Sequence, residues 1–430
     1  MEGEAVPHYG LKSLIESGAD KAECVFTRSE KQELNVEAGE ISLLRTTFDQ
    51  DVRLRAIKDQ REGSLSLNKT DRQSLDQGGA EVLKTAVSSE ADEAHDVAPL
   101  HQARESAYGP QEADIDGMFE GVKEFLEEVT KGHPAATMRS ARLCFDRSAR
   151  WFVNSNGVAH RETKALYRFT TVFSSQEGEQ TSSFNYDTYS LKDLPRKLLD
   201  TGLIRTLLTQ SAEQVRLQPL VGKLTGDVIL TPHCLRTLLS RYLSFVQNLQ
   251  LIAGTSVFKD KLGQQIADPK LTVHSRPTSE ELADREFVTS DGFAADDVCI
   301  IDRGVLRSFL LTLYGANKTG HARAANPGTH PIVEPGTHSL EEMISSVERG
   351  MLLCRFSGGT PASNGDFSGV AKNSYYIENG RLQHPVSETM ISGNLLDLFG
   401  SIAAISRDRV NFGDTIMPWL ASPGVVLSGK

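Results

Sequence analysis

The chain has 430 residues, of which 39% are hydrophobic and 24% charged, so it is soluble in composition and long enough for two or three domains at about 150 residues each. Against 57 acidic residues it sets only 46 basic ones, for a formal charge of -11, and no Lys/Arg-rich run occurs. A nucleic-acid binder would need a basic face to displace counterions, so that class is excluded as the expectation.

Five cysteines, at 24, 144, 234, 299 and 354, are widely spaced, odd in number and free of any C-x-x-C pair. They predict neither a disulfide framework nor a zinc knuckle, and they fit a reducing compartment. The polar, acidic start lacks the basic and apolar regions of a signal peptide, and no run of about 18 apolar residues exists. A cytoplasmic location with no membrane contact is expected.

In chain order, residues 8–18 predict a short helix with Leu11, Leu14 and Ile15 on one face and Gly18 as its stop. Alternation from Ala22 to Leu67, with turns at Gly39 and Gln60–Gly63, predicts antiparallel strands. Helical spacing returns over 71–88. Residues 89–112 lack periodicity and are expected to be a linker or extended arm. Ile115, Met118, Val122, Phe125 and Leu126 predict an amphipathic helix, ended by Gly132-His133-Pro134. Residues 136–189 are strand-like around the turn Asn154–Gly157, and two helical segments are expected within 191–217.

Gly222 to Gly226 marks a second boundary. A buried strand over Asp227–Leu230 and a helix over Pro232–Leu251 should follow it. The remainder is expected to be mostly β, with a capping box Ser339–Glu342 opening a helix that Gly350 closes, and a hairpin turn at Glu378-Asn379-Gly380. No fixed-period repeat is present. The expected fold class is α+β with antiparallel sheets and helices. Its expected parts are an N-terminal α+β region (1–95), a middle sheet-and-helix region (96–221) and a β-rich C-terminal domain (222–430).

Three common routes to catalysis are missing from the sequence. No histidine is followed by Glu, so H-E-x-x-H and its variants are absent, as are a G-x-S-x-G elbow, a Walker A loop and a G-x-G-x-x-G fingerprint. The densest polar cluster is His321, Arg323, His330 and His338, with Glu334, in a segment broken by prolines 327, 331 and 335. Its spacing obeys no ligand rule, so a loop facing substrate or an interface is a better reading than a metal site. In Gly358-Gly359 and Asn364–Gly369, including Asp366 and Ser368, glycine-freed amides could hold a peptide carbonyl or carboxylate. The same residues equally describe a wide turn. Cys234 follows His233, but neighbours on a helix point about 100° apart, so a buried structural cysteine is expected there rather than a nucleophile.

The C-terminal half resembles the TldD/PmbA peptidase family, also called modulators of DNA gyrase. Ser256-Val-Phe258 with Leu262-Gly263-Gln-Gln-Ile266 is similar to its S-x-F…L-G-x-x-I segment. Asp291-Gly292 with Ile301-Asp-Arg-Gly304-Val305-Leu306 is similar to its acidic-glycine and I-x-x-G-V-L stretch. Gly365-Asp366-Phe367-Ser368 with Ile377-Glu378-Asn379-Gly380 is similar to its G-D-F-S…I-E-N-G signature. Order and spacing agree across roughly 222–430, while the N-terminal part agrees in pattern only, including Glu37–Ile41.

TldD-type members carry H-E-x-x-x-H on a helix before the segment at 256, and a later cysteine as third zinc ligand. Here the matching helix reads Leu235-Arg-Thr-Leu-Leu-Ser-Arg-Tyr-Leu-Ser-Phe-Val-Gln, and no cysteine follows Cys354. The resemblance therefore implies the zinc-less PmbA (TldE) side. It implies a chain that binds no cofactor and has no catalytic residues of its own. Zinc would sit in a TldD-like partner, and the pair would act on unfolded or flexible peptides, in tasks such as trimming modified-peptide precursors or clearing an antitoxin. His321, Arg323, His330, Gly358, Gly359, Asp366 and Ser368 are the expected substrate or partner contacts, with 320–336 and 358–369 carrying the subunit interface. Two alternatives stay open: a free-standing hydrolase using the 321–338 loop, and a homodimeric peptide-binding scaffold.

Overall fold

The computed structural model describes residues 1–387 and 389–429; the last residue of the expected third region, Lys430, lies outside them. The N-terminal half runs α1 (Ala5–Glu16), β1 (Lys21–Glu37), β2 (Glu40–Lys58), β3 (Arg61–Leu67), α2 (Arg72–Ser88), β4 (Glu105–Tyr108), α3 (Ile115–Gly132), β5 (Ala136–Asn154), β6 (Ala159–Glu177), β7 (Gln180–Thr181), β8 (Asn185–Leu191) and α4 (Ile204–Glu213). The strands form one sheet in the order β3-β2-β1-β5-β6-β4, with β7 and β8 also on β6. Residues 1–95 and 96–221 thus share a sheet, because β1 pairs antiparallel with β5 from Glu23↔Asn154 to Glu37↔Ser140.

The turn expected at Gly39 exists, and the one expected at Gln60–Gly63 falls at Asp59-Gln60, with Arg61 to Gly63 already inside β3; the backbones explain both, since Ala38 and Gly39 have φ of 49° and 84°, and Asp59 and Gln60 of 49° and 63°. Two consecutive positive φ values make a turn whose twist matches the flanking strands. The strands themselves are longer than alternation alone suggests, at 17 and 19 residues. The aperiodic stretch 89–112 is an extended arm pressed onto the molecule. Val97 and Ala98 are buried, and β4 within it pairs parallel with β6. Between 191 and 217 only one α-helix forms, α4, preceded by a single 3-10 turn at Leu198–Asp200.

The C-terminal half follows as β9 (Gln218–Pro219), β10 (Lys223–Leu230), α5 (Pro232–Leu243), α6 (Asn248–Ile252), β11 (Val273–Ser275), β12 (Val298–Asp302), β13 (Val305–Leu306), α7 (Leu313–Thr319), β14 (Pro331–Val333), α8 (Leu340–Ser345), β15 (Arg349–Leu353), β16 (Arg355–Gly358), β17 (Asp366–Lys372), β18 (Tyr375–Glu378), β19 (Arg381–Ser387), β20 (Thr389–Asn394), α9 (Leu395–Gly400), β21 (Ala404–Asn411) and β22 (Ile416–Ser428). They build a second, mixed sheet around β22, which pairs with β10, β14, β20 and β21. The α+β class with predominantly antiparallel pairing is the observed one.

Two local expectations fail. The helix from Pro232 stops at Leu243, makes a 3-10 turn and restarts at Asn248. The break exists because Gln247 is extended and bridges Leu310, whose amide donates to Val246. Gly350 does not close a helix either: α8 ends at Ser345, and Gly350 lies inside β15 beside the parallel strand β10. A Cβ there would sit 2.2 Å from the Asp227 carbonyl, so close strand approach is what requires glycine.

One continuous hydrophobic core joins both halves. It runs from Phe125 and Phe169, which meet edge-on at 5.1 Å, through Tyr189 stacked on Phe412 at 5.5 Å, to Leu238, Tyr242 and Phe399. Among the described residues no helix is long and apolar enough to cross a membrane.

Candidate functional site

The sequence-derived candidates fall into three separate environments. Arg323 is drawn inward and held by four hydrogen bonds. Its Nε and Nη2 donate to the two carboxylate oxygens of Asp291 at 2.9 and 2.8 Å, Nη2 also reaches Thr289 Oγ1 at 3.0 Å, and Nη1 donates to the Ala324 carbonyl. The guanidinium lies 3.7 Å from the Phe293 ring centre. Burial opposes ionisation of Asp291, yet Arg323, Thr289 and the Leu313 amide hold its carboxyl below the usual range. This clamp fixes the turn at Gly292, where a Cβ would strike Phe152 at 2.1 Å. Four of the five Arg323 N–H donors are thus engaged within the chain.

His330 is also internal. Its Nδ1 contacts Thr329 Oγ1 at 2.7 Å and stands 3.9 Å from Glu286, at the seam where residues 282–295 cover the N-terminal sheet. Across that seam Lys164 bonds Asp284 at 2.8 Å and Arg168 bridges Asp146 and Asp284. Burial pushes the His330 imidazole below its ordinary value, and the neighbouring carboxylates offset part of that. His321, by contrast, is exposed and packs edge-on against Phe309. His338 is exposed beside Thr337. The three histidines do not converge, and among the described residues no group of three or more His, Cys, Asp or Glu could hold a metal ion.

The glycine-rich candidates do sit together with a third element, α5. Arg241 on that helix donates to the carbonyls of Gly358 and Gly359 and lies over Phe356. Gly359 and the loop to Asn364 are largely exposed, and a Cβ on Gly359 would meet open space. Asp366 closes the loop, accepting from Asn394 at 2.8 Å and Asn364 at 2.7 Å, which lowers its carboxyl below the ordinary value. Ser368 points outward on β17, opposite Ser392. This shelf of α5, β16 and β17 is the region in which the sequence-derived residues coincide.

Helix α5 faces it with few side chains a metal could use. Its inner face is Leu235, Leu238, Leu239 and Tyr242, all at 0% exposure, and Tyr242 donates to the Ile266 carbonyl at 2.5 Å. Tyr242, Phe258 and Phe399 fill the space beyond it. The helix has no carboxylate. His233 is bonded to Asp187 of β8 at 2.7 Å, and burial holds its imidazole below the ordinary range. Cys234 is buried and its thiol is pushed far up by desolvation. A family zinc does not fit this donor set.

Sequence reasoning missed Asp291, Asp187 and Arg241, whose partners lie 32, 46 and about 118 residues away. Only the pairing of Asp291 with Gly292 in a family motif hinted at any of them.

Comparison with known proteins agrees with this architecture. Residues 223–429 match the PmbA/TldA metallopeptidase C-terminal domain, and residues 22–89 match PmbA/TldA metallopeptidase domain 1. Metalloprotease PmbA of Escherichia coli O157:H7 is 34% identical over 193 residues, which is 40% of this chain and 41% of that protein. In structure the chain is similar to TldE from Thermococcus kodakarensis, with a TM-score of 0.84, 20% identity and 99% of each chain covered. It is also similar to a candidate modulator of DNA gyrase from Bacteroides thetaiotaomicron, with a TM-score of 0.87, 22% identity and the same coverage. At those identities the structural likeness speaks for the fold. From the two family domains in order, the relatives and the fold together, the chain belongs to the PmbA/TldD metallopeptidase family.

Proposed function

We propose that this chain is a non-catalytic, TldE-like subunit of a heteromeric TldD/TldE-type metallopeptidase that acts on unfolded or flexible peptides in the cytoplasm. The observation that supports the reading is the composition of α5. A catalytic zinc needs about three protein ligands and a polarised water, whereas this helix offers an all-apolar inner face and no carboxylate. The shelf formed by Arg241, Gly358 and Gly359 is the proposed contact for peptide or partner, since exposed loop amides can pair with extended chain.

The test is reconstitution. The chain alone should hold no stoichiometric zinc by elemental analysis and cleave no flexible peptide, while addition of a TldD-like subunit should give activity. Gly359→Trp, placed where the fold leaves room, should lower that activity with folding intact. Cleavage by the chain alone, abolished by His321→Ala, would instead establish the free-standing hydrolase. A homodimeric scaffold has one observation in its favour, the outer edge of β2 at residues 41–51, which no strand pairs among the described residues.

A further inference from the structure

One face of the N-terminal sheet is covered by helices at its two ends and open between them. Side chains of like parity share a face of a strand, so Phe26, Arg28, Glu30 and Leu34 of β1 stand beside Trp151, Ala149, Arg147 and Leu143 of β5 in that order. At one end Leu34, Leu143 and Phe145 are buried in the core that holds Met118, Val122 and Phe125 of α3. At the other, Phe26 and Val153 are buried with Val6 and Leu14 of α1 and Leu75 and Val82 of α2, and Trp151 packs against them. The C-terminal half lies on the opposite face. There Glu162 accepts from the Phe287 amide, Lys164 pairs with Asp284, and His160 approaches the Gly292 carbonyl.

Between the two helical layers the sheet face holds a hollow of about 430 Å³. Its floor is Ala149, with Arg28 across from it on β1 and Thr163 across from it on β6. Two short side chains where their neighbours are arginine or aromatic leave the space. The volume is that of a small-molecule site.

The charge of the lining runs against that of the chain. Arg28, Arg147 and Arg161 face one carboxylate, Glu30, an excess of two positive charges in a protein of net charge -11. Glu30 stands across from Arg147 in register, yet its carboxylate takes the Gln32 amide at 2.7 Å. Arg161 is bonded to Glu105, and its guanidinium lies 5.9 Å from the Trp151 ring centre. Among the described residues Arg28 and Arg147 pair with no carboxylate within 4.0 Å. They are diagonal neighbours across the β1–β5 pairing, roughly 7–8 Å apart at the backbone, a span over which two long guanidinium forks can grip one anion.

The same lining describes the rest of the ligand. Trp151 is fixed by stacking on Phe26 at 5.3 Å, and Phe48 is 66% exposed at the β2 side of the hollow. A bare inorganic ion would use the arginines and leave both rings wet, whereas a flat apolar body would cover them. A phosphate monoester brings close to two negative charges and three acceptor oxygens, matching the excess of two.

We propose that this hollow binds a small aromatic phosphate monoester, with its phosphate between Arg28 and Arg147 and its ring against Trp151 and Phe48. The proposal does not rest on the peptidase reading, and it concerns the sheet face turned away from residues 284–292.

Calorimetric titration of the full chain tests it, with phenyl phosphate, inorganic phosphate, benzoate and phenol as probes. Phenyl phosphate should bind saturably, about tenfold or more tighter than inorganic phosphate or benzoate, and phenol should not bind. Arg28→Gln and Arg147→Gln should each weaken phenyl phosphate about tenfold or more, the loss of one charge-assisted contact. Ala149→Leu fills the floor without changing charge and should weaken it as much. Arg142→Gln removes the same charge from an exposed position on the opposite face of β5 and should leave the affinity within about twofold. Circular dichroism identifies any variant that has lost its fold, and Arg28, being exposed, gives a variant that keeps the test decisive if Ala149→Leu does not fold. Absence of phenyl phosphate binding overturns the proposal, as does inorganic phosphate or benzoate binding as tightly. So do equal losses from Arg142→Gln and Arg147→Gln, or an affinity that a folded Ala149→Leu leaves unchanged.

Discussion

Helix α5 and the outer stretch of β2 are opposite kinds of surface in one molecule. Along α5 the inner leucines and Tyr242 are at 0% exposure, and the outward arginines are each tied: Arg236 to Asp414, Arg241 to two glycine carbonyls. Along β2 from Ser42 to Asp51 every side chain is exposed, and among the described residues no strand pairs with its outer backbone edge. The helix has its inner face and its arginines satisfied within the chain, whereas the outer stretch of the strand has no neighbouring strand among the described residues.

The sharpest way to test that contrast is to truncate one side chain in each. Tyr242→Ala removes a buried ring between Phe258 and Phe399 and should cost about 3–5 kcal/mol in denaturant unfolding. Phe48→Ser removes an exposed ring and should change the stability of the isolated fold by no more than about 0.5 kcal/mol. A large loss for Phe48→Ser would mean that the edge is intramolecularly supported after all.

The Asp291–Arg323 clamp should come next in size. Asp291→Ala leaves a buried guanidinium over Phe293 with no carboxylate, and should destabilise by about 3 kcal/mol. The sign with pH follows from the direction of the shift. The folded carboxyl titrates below the unfolded value of about 3.9, so its contribution is fully present above that pH. It disappears as pH falls through the lower folded value. Acid unfolding of the parent should steepen in that window, and the variant should lack the added steepness.

How much of this was legible beforehand depends on range along the chain. The hairpin at Asn154–Gly157, the turn at Asn379-Gly380 and the capping box at Ser339 are encoded by residues within a few positions of each other. All three are present, the last with Ser339 and Glu342 exchanging bonds at 3.1 and 2.6 Å. Gly350 misled because glycine that ends a helix and glycine that lets two strands touch are one letter, and only the Asp227 carbonyl distinguishes them. The histidine cluster shows the same limit of range: within 18 residues of sequence it places His321 and His338 at the surface and His330 in the seam against the N-terminal sheet. The free edge of β2 could not be read at all, since its missing neighbour is a property of where β3 stops.

A smaller effect should come from the enclosed histidines. His160, His233 and His330 are all held below the ordinary imidazole value by burial. Their stabilising contribution is complete above the unfolded value of about 6.5 and is lost as pH falls toward the depressed folded values. Stability should therefore decline between pH 7 and 5 in the parent. His330→Gln should flatten part of that slope. An identical slope in parent and variant would place the dependence elsewhere.

The smallest effect, on Arg241, tests whether the glycine shelf is held or merely adjacent. Its guanidinium offers two separate donors, and here they serve the consecutive carbonyls of Gly358 and Gly359 while the plane covers Phe356. A lysine has one point charge and cannot span both. Arg241→Lys and Arg241→Ala should each lower global stability by only about 0.5–1.5 kcal/mol, because the site is partly solvated. The local consequence should be larger: the exposed loop 359–364 would lose its anchor on α5 and become a site of limited proteolysis, with Asp366 still fixing its far end through Asn394. Lysine should protect the loop little better than alanine, since the recognition is bidentate. Unchanged proteolysis in both variants would mean that Asp366, Asn364 and Asn394 hold the loop alone, and Arg241 would then be a cover for Phe356 with no part in shaping the shelf.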